Sequence, residues 1–333
     1  MCNNTIKVII MFDKIFGKKK ETIPPHPINT DTDSKITSES IRSIFSKNSD
    51  IVFREIYIGG NKDLTVTLVY FDGMTDSRAI SDAVIFPLMH NELLAAAKTE
   101  KDAINLIEHG CVYYPAQRTR KNLSEAIIDI TSGGCGLIFD EENIALTFET
   151  KGFEHRAISE PTEENITKGP KDVFVESLRV NTATIRRRFK TDKLIIEQTT
   201  VGRQTQTSVA IVYVDGIANE DLIKEVKSRL DSIDVDGILE TCTIEEYIID
   251  GEICTFPLIT STERPDVFSR NIIAGRVGII VDGIPIAFNA PAVISQFLRA
   301  PDDYSQPAII ASMIRLLRYS LMLISVFLPA FYV

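Results

Sequence analysis

Three consecutive arginines, Arg186, Arg187 and Arg188, follow Ile185 in the most densely basic stretch of the chain. Guanidinium groups gathered in one helical turn can bind a carboxylate, a phosphate or a lipid headgroup, can dock an acidic partner, or can simply solvate a helix face. Aspartates supply the opposite charge where two strand patterns end, at Asp72-Gly73 and Asp215-Gly216. Ligand sites of α/β folds collect at strand ends, but an aspartate before glycine also closes a turn on its own backbone, so both readings stand. The group Glu263-Arg264-Pro265-Asp266 opens a helix pattern. It reads either as an ion-pair cluster at a helix start or as an interface contact.

A helix from about Lys171 to Lys190 must carry the arginines. Pro170 pre-sets its first turn, and Phe174, Leu178, Ile185 and Phe189 fall on one face, with Arg179 and Arg186 to Arg188 on the others. This helix joins two halves that repeat each other. Val66-Thr-Leu-Val-Tyr-Phe-Asp-Gly-Met74 lies over Val209-Ala-Ile-Val-Tyr-Val-Asp-Gly-Ile217 at an offset of about 143 positions. Pro115, Gly133 and Gly136-Leu-Ile-Phe-Asp140 lie over Pro257, Gly275 and Gly278-Ile-Ile-Val-Asp282 at about 142. The expected fold class is α/β: two duplicated α/β subdomains joined by an amphipathic helix and followed by the start of a transmembrane helix. Its expected divisions are a disordered basic and polar lead (1–35), a first subdomain (36–165), the connecting helix (166–193), a second subdomain (194–304) and a truncated first membrane helix (308–333). Translation starts at Met1 or at Met11.

Composition narrows the chemistry. A formal net charge of −10 over 333 residues argues against nucleic acid as the main partner. Five cysteines without a Cys-x-x-Cys pair and four scattered histidines propose neither a disulfide framework nor a metal site. Phosphate-binding loops, nucleophile elbows and dinucleotide fingerprints are missing from the sequence, so no cofactor and no enzymatic activity is expected.

The C-terminal stretch changes character. From Ala308 onward the only charged residues are Arg315 and Arg318, and Tyr319 to Val333 is uninterruptedly apolar. A bilayer needs about 20 such residues. The stretch is therefore either a span cut short or a buried terminal helix, and on the first reading Arg315 and Arg318 mark the cytoplasmic boundary.

Several short motifs occur in the order of one family: Gly169-Pro170, Phe174, Glu176-Ser-Leu-Arg179, Asn181, Ile185-Arg-Arg-Arg188, Thr262-Glu-Arg-Pro-Asp266, Val281-Asp-Gly-Ile-Pro285, Asp302-Asp-Tyr304 and Arg315-Leu-Leu-Arg-Tyr319. Over about residues 165 to 333, and more loosely before, the chain resembles the A subunit of GerA-type spore germination receptors. The resemblance implies a nutrient receptor in the inner membrane of a bacterial spore, its N-terminal domain on the cytoplasmic (core) side. It also implies a transporter-like B subunit, a C lipoprotein and self-association of A subunits, with amino acids or sugars as germinants and ion release as the output. The alternative is a stand-alone two-lobed domain that binds a small molecule between its halves. On either reading the expected ligand or interface residues are Asp72, Asp215, Asn181, Arg186, Arg187, Arg188, Glu263, Arg264 and Asp266.

Overall fold

The computed structural model describes residues 35–152, 170–238, 241–249, 257–298, 300, 303 and 306–332. The expected lead up to Ser34, with Cys2 and His26, lies outside them, as do His155 and Cys254.

In the first half, Thr37 caps α1 (Ser38–Ile44) by accepting the N–H of Ser40. The hairpin of β1 (Ile51–Tyr57) and β2 (Thr65–Phe71) follows. A helical run then goes from α2 (Ser77–Ile80) through a π-turn (Ser81–Ile85) to α3 (Phe86–His90), α4 (Glu92–Ala95) and α5 (Glu100–Leu106). β3 (Gln117–Arg120), α6 (Leu123–Thr131), β4 (Cys135–Phe139) and β5 (Ile144–Phe148) complete it. The second half repeats the plan with α7 (Leu178–Arg188), β6 (Leu194–Val201), β7 (Thr207–Val214), α8 (Glu220–Asp231) and α9 (Thr241–Ile248). It continues with β8 (Thr260–Thr262), α10 (Pro265–Ile273), β9 (Val277–Val281), β10 (Ala287–Ala290) and α11 (Ile294–Phe297).

Each half is an antiparallel sheet, ordered β1-β2-β4-β5-β3 and β6-β7-β9-β10-β8. The registers coincide. Val69 stands opposite Gly136 as Val212 stands opposite Gly278, and Ile51 opposite Phe71 as Leu194 opposite Val214. Tyr70 and Asp72 therefore hold the places of Tyr213 and Asp215, as the repeat in the sequence requires. Gly133 and Gly275, with φ of 92° and 88°, each end a helix in the left-handed conformation open to glycine. Both sheets are covered on two faces. One face of the first packs Leu68 against Val84, Leu88 and Ile107, the other packs Val69 against Ile41, Ile127 and Ile130. In the second, Ile211 meets Val226, Leu230 and Ile244 on one side, and Val212 meets Ile185, Phe268 and Ile272 on the other.

The repeat extends to the helices that precede each sheet. Asp140, just after β4, accepts the N–H of Ser38 at the start of α1 (2.6 Å), and Asp282, just after β9, accepts the N–H of Leu178 at the start of α7 (2.9 Å). Two aligned aspartates thus satisfy the first turns of two equivalent helices. α7 begins at Leu178 rather than near Lys171. The residues before it are extended because their backbone is claimed elsewhere: Phe174 N–H donates to Glu263 O (2.8 Å), and the Asn181 side chain bonds both the N–H and the C=O of Val175. Phe174 and Leu178 still bury in one cluster with Ile185 and Phe189, so the apolar face was read correctly although only part of it is helical.

Beyond Asp303, α12 (Ala308–Tyr332) forms an apolar helix of 25 residues that starts well before Tyr319. Residues Ala308–Pro329 are long and apolar enough to cross a membrane, and 6% of that stretch is buried within the chain.

The glycines under the covering helices provide a test. A Cβ on Gly278 would overlap the Phe268 ring and lie 2.8 Å from Ile272 Cδ1, whereas one on Gly136 would lie 3.2 Å from Ile130 Cδ1. Gly278→Ala is expected to cost about 1–3 kcal/mol through overpacking and Gly136→Ala less, as read from denaturant midpoints.

Candidate functional site at the seam between the halves

α7 carries residues for both halves. Ala183 packs into the core of the first and Ile185 into that of the second. One turn further, Arg186 is fully buried. Its Nε donates to Asp50 Oδ2 (2.7 Å), Nη2 to Asp50 Oδ1 (2.8 Å) and to Asn48 Oδ1 (2.5 Å), and Nη1 to Leu194 O (3.2 Å). The guanidinium also lies over the Phe71 ring, 4.1 Å from its centroid. Asn48, Asp50 and Phe71 belong to the first half, Arg186 and Leu194 to the second. The fork-to-fork geometry suits a guanidinium and a carboxylate that have both lost their water.

The backbone adds to the same join. Ser49 N–H donates to Ile196 O (2.9 Å), and Ile196 N–H donates to Asn48 Oδ1 (3.0 Å), so the segment before β1 extends the free edge of β6. At the rim the two strand-end aspartates exchange partners. Asp72 of the first half pairs with Arg179 on α7 (2.9 Å), and Asp215 of the second pairs with Lys47 of the first (3.3 Å). All four side chains are about half exposed, so each pair is weak alone.

Two cavities flank α7. One of about 360 Å³ opens along the seam and is lined by Asp50, Asp72, Arg179, Gln198, Ser208 and Asp282. The other, of about 480 Å³, lies against the first half and is lined by Asp76, Arg78, Arg179, Thr184 and Arg187. Arg179 borders both. Such mixed, polar walls can hold a small charged or hydroxylated molecule; among the described residues no group of His, Cys, Asp and Glu could hold a metal ion.

The structure therefore brings Asp72, Asn181, Arg186 and Arg187 to the seam and sets Asp215 on its rim. Arg188 pairs with Asp172 (3.0 Å). Glu263, Arg264 and Asp266 lie apart, at the start of α10. There the buried Arg264 donates to both Asp266 oxygens at 3.0 Å and Arg270 adds a bond of 2.8 Å, an ion-pair cluster at a helix start. Burial would raise the Asp266 carboxyl, but the hydrogen bonds and charges of Arg264 and Arg270 outweigh it and hold it below the usual carboxylate range. Arg315 and Arg318 both reach the buried Asp303, at 3.6 and 2.8 Å. Asn48, Asp50 and Asp303 escape a reading of the sequence. Asp50 is aligned with Lys193, so the repeat gives it no signal.

The family model described as Bacillus/Clostridium GerA spore germination protein matches residues 39–333. The chain belongs to the GerA family. It is 35% identical over 303 residues to spore germination protein B1 of Bacillus subtilis (strain 168), covering 91% of this chain and 62% of that protein. It is 36% identical over 286 residues to spore germination protein KA of the same organism, covering 86% and 52%. The chain thus spans little more than half the length of these GerA-family relatives. The crystal structure of the N-terminal domain of the A subunit of the Bacillus megaterium spore germinant receptor GerK3 is similar with a TM-score of 0.62 and 33% identity, over 78% of this chain and 98% of that one. The mixed α/β fold with two antiparallel sheets is therefore a GerA-family fold.

Two outcomes follow for this GerA-family chain. Arg186→Ala leaves Asp50 buried without its cation and is expected to cost about 3–5 kcal/mol in denaturant unfolding. Adding Asp50→Ala should recover part of that loss, since the orphaned carboxylate goes too. Asp266, whose carboxyl is lowered in the folded state, contributes stability that is full above the unfolded carboxylate range and lost as pH falls through its folded value. In pH-dependent melts, Asp266→Asn is expected to be less stable than the parent at neutral pH, with the gap closing below about pH 4.

Proposed function

We propose that this chain is the head and first membrane helix of the A subunit of a nutrient-germinant receptor, and that the head serves signal sensing and subunit assembly. Membership of the GerA family supports this reading. The seam carries it further: a deep, rigid clamp at Arg186 lies beneath a rim of weak, exchanged ion pairs, so the rim can rearrange while the halves stay joined. A receptor head needs that combination if it is to report binding without coming apart.

On this proposal α12 enters the inner membrane of the spore with Arg315 and Arg318 at the cytoplasmic boundary, where cationic residues are favoured, and the head faces the spore core. Its partners are the receptor's B subunit, the C lipoprotein and further A subunits, and ion release is the output. A second reading puts an amino acid or sugar in the seam cavity itself, and the facing charges of Asp72 and Arg179 favour it.

Arg179→Ala tests the proposal, because it removes the rim pair and leaves the clamp. Its melting midpoint is expected to stay within about 1 kcal/mol of the parent. Spores carrying the variant receptor should respond to nutrients more slowly or at higher nutrient concentration. A parent-like germination response would overturn the role assigned to the seam.

A further inference from the structure

The duplication sets up equivalent grooves, one between β3 and α6 and one between β8 and α10, and the two halves fill them differently. In the first, Arg120 Nε donates to Asp129 Oδ2 (2.8 Å), Arg118 Nη1 lies 3.5 Å from Asp129 Oδ1, and Thr147 donates to Asp129 Oδ2 (2.7 Å). This plug leaves about 220 Å³. In the second half the register puts Thr260 opposite Asn289 where the first has Arg118 opposite Thr147. Thr262 stands in the place of Arg120 and Asn271 in that of Asp129. With both arginines gone, the groove opens to a cavity of about 650 Å³.

Its polar groups are not all matched. The Asn271 side-chain oxygen accepts from Arg276 and from Gln296 Nε2 (2.9 Å), both on the cavity wall. Asn289, on the same face of the sheet as its neighbour Thr260, is 0% exposed, and neither its side-chain oxygen nor its nitrogen has a hydrogen-bond partner among the described residues. A buried amide without partners is costly and marks a place where a polar atom belongs. Glu245 also lines the cavity and has no ion-pair partner among the described residues; burial pushes its carboxyl up. Ile259, Val267 and Phe297 supply the apolar wall.

We propose that this cavity binds a small zwitterion with an apolar side chain, of the α-amino acid class, its carboxylate toward Arg276 and its ammonium toward Glu245. A sugar leaves both charges unanswered, a plain carboxylic acid leaves Glu245, and a plain amine leaves the arginine. The site shares no lining residue with the seam cavity, so it goes beyond the role proposed for the seam.

Isothermal titration of the 333-residue chain in detergent with L-leucine, and with D-glucose as the neutral comparison, tests it. Saturable heat is expected with L-leucine only. The double variant Thr260→Arg/Asn271→Asp rebuilds the first half's plug and is expected to weaken binding at least tenfold. Glu245→Gln, which keeps the shape, is expected to weaken it as well, and Arg179→Ala to leave it unchanged. No saturable heat with L-leucine, parent-like binding by a correctly melting plug variant or by Glu245→Gln, or glucose binding of equal strength would each overturn the site. Loss of binding in Arg179→Ala would move the ligand to the seam. If spores carrying Arg179→Ala germinate normally while L-leucine still binds, the seam role alone fails.

Discussion

The ion pair between Arg186 and Asp50 is the constraint on which the arrangement of the two halves depends. Each group is stranded without the other: both are buried, and an unpaired charge there costs several kcal/mol. Because one sits on α7 and the other just before β1, neither half completes its own electrostatics. Asn48 reinforces this by sharing a single oxygen between the guanidinium and the backbone of β6. Removing both charges would loosen the join; removing one would penalise the half that keeps its charge.

Duplication explains what surrounds this pair. α1 and α7 are capped by aligned aspartates and lie over the same face of equivalent sheets, so each half is a variation on one plan. The variations fall at contacts that have no symmetric counterpart. Asp50 faces Arg186, whereas its aligned residue in the second half is Lys193; Arg118 and Arg120 close a groove that Thr260 and Thr262 leave open. Equal backbones have been given unequal tasks.

Much of the fold was legible in the sequence because strand pairing is periodic and the repeat fixes the register twice. Val69 and Gly136 could be matched to Val212 and Gly278 without coordinates, and the strand order followed. The start of α7 was not legible, since an extended segment that buries Phe174 and a helix that buries Leu178 present the same apolar spacing. Nor was the burial of Arg186. In a run of three arginines nothing local separates the one that finds a carboxylate 136 positions away from its neighbours, which stay nearer the surface. Asp282 was visible as a turn residue, but its capping of a helix 104 positions earlier is a fact of three dimensions.

The grip of Asp303 on α12 changes what kind of connection the head has to that helix. Arg315 and Arg318 lie one turn apart, and a single carboxylate holds both, while Arg318 also bonds the carbonyl of Leu298 (2.6 Å). A flexible tether would let the rod spin freely under the globular part. Two points of attachment on one side fix its azimuth, so any swing of the second sheet would arrive at the far end as torque rather than as slack.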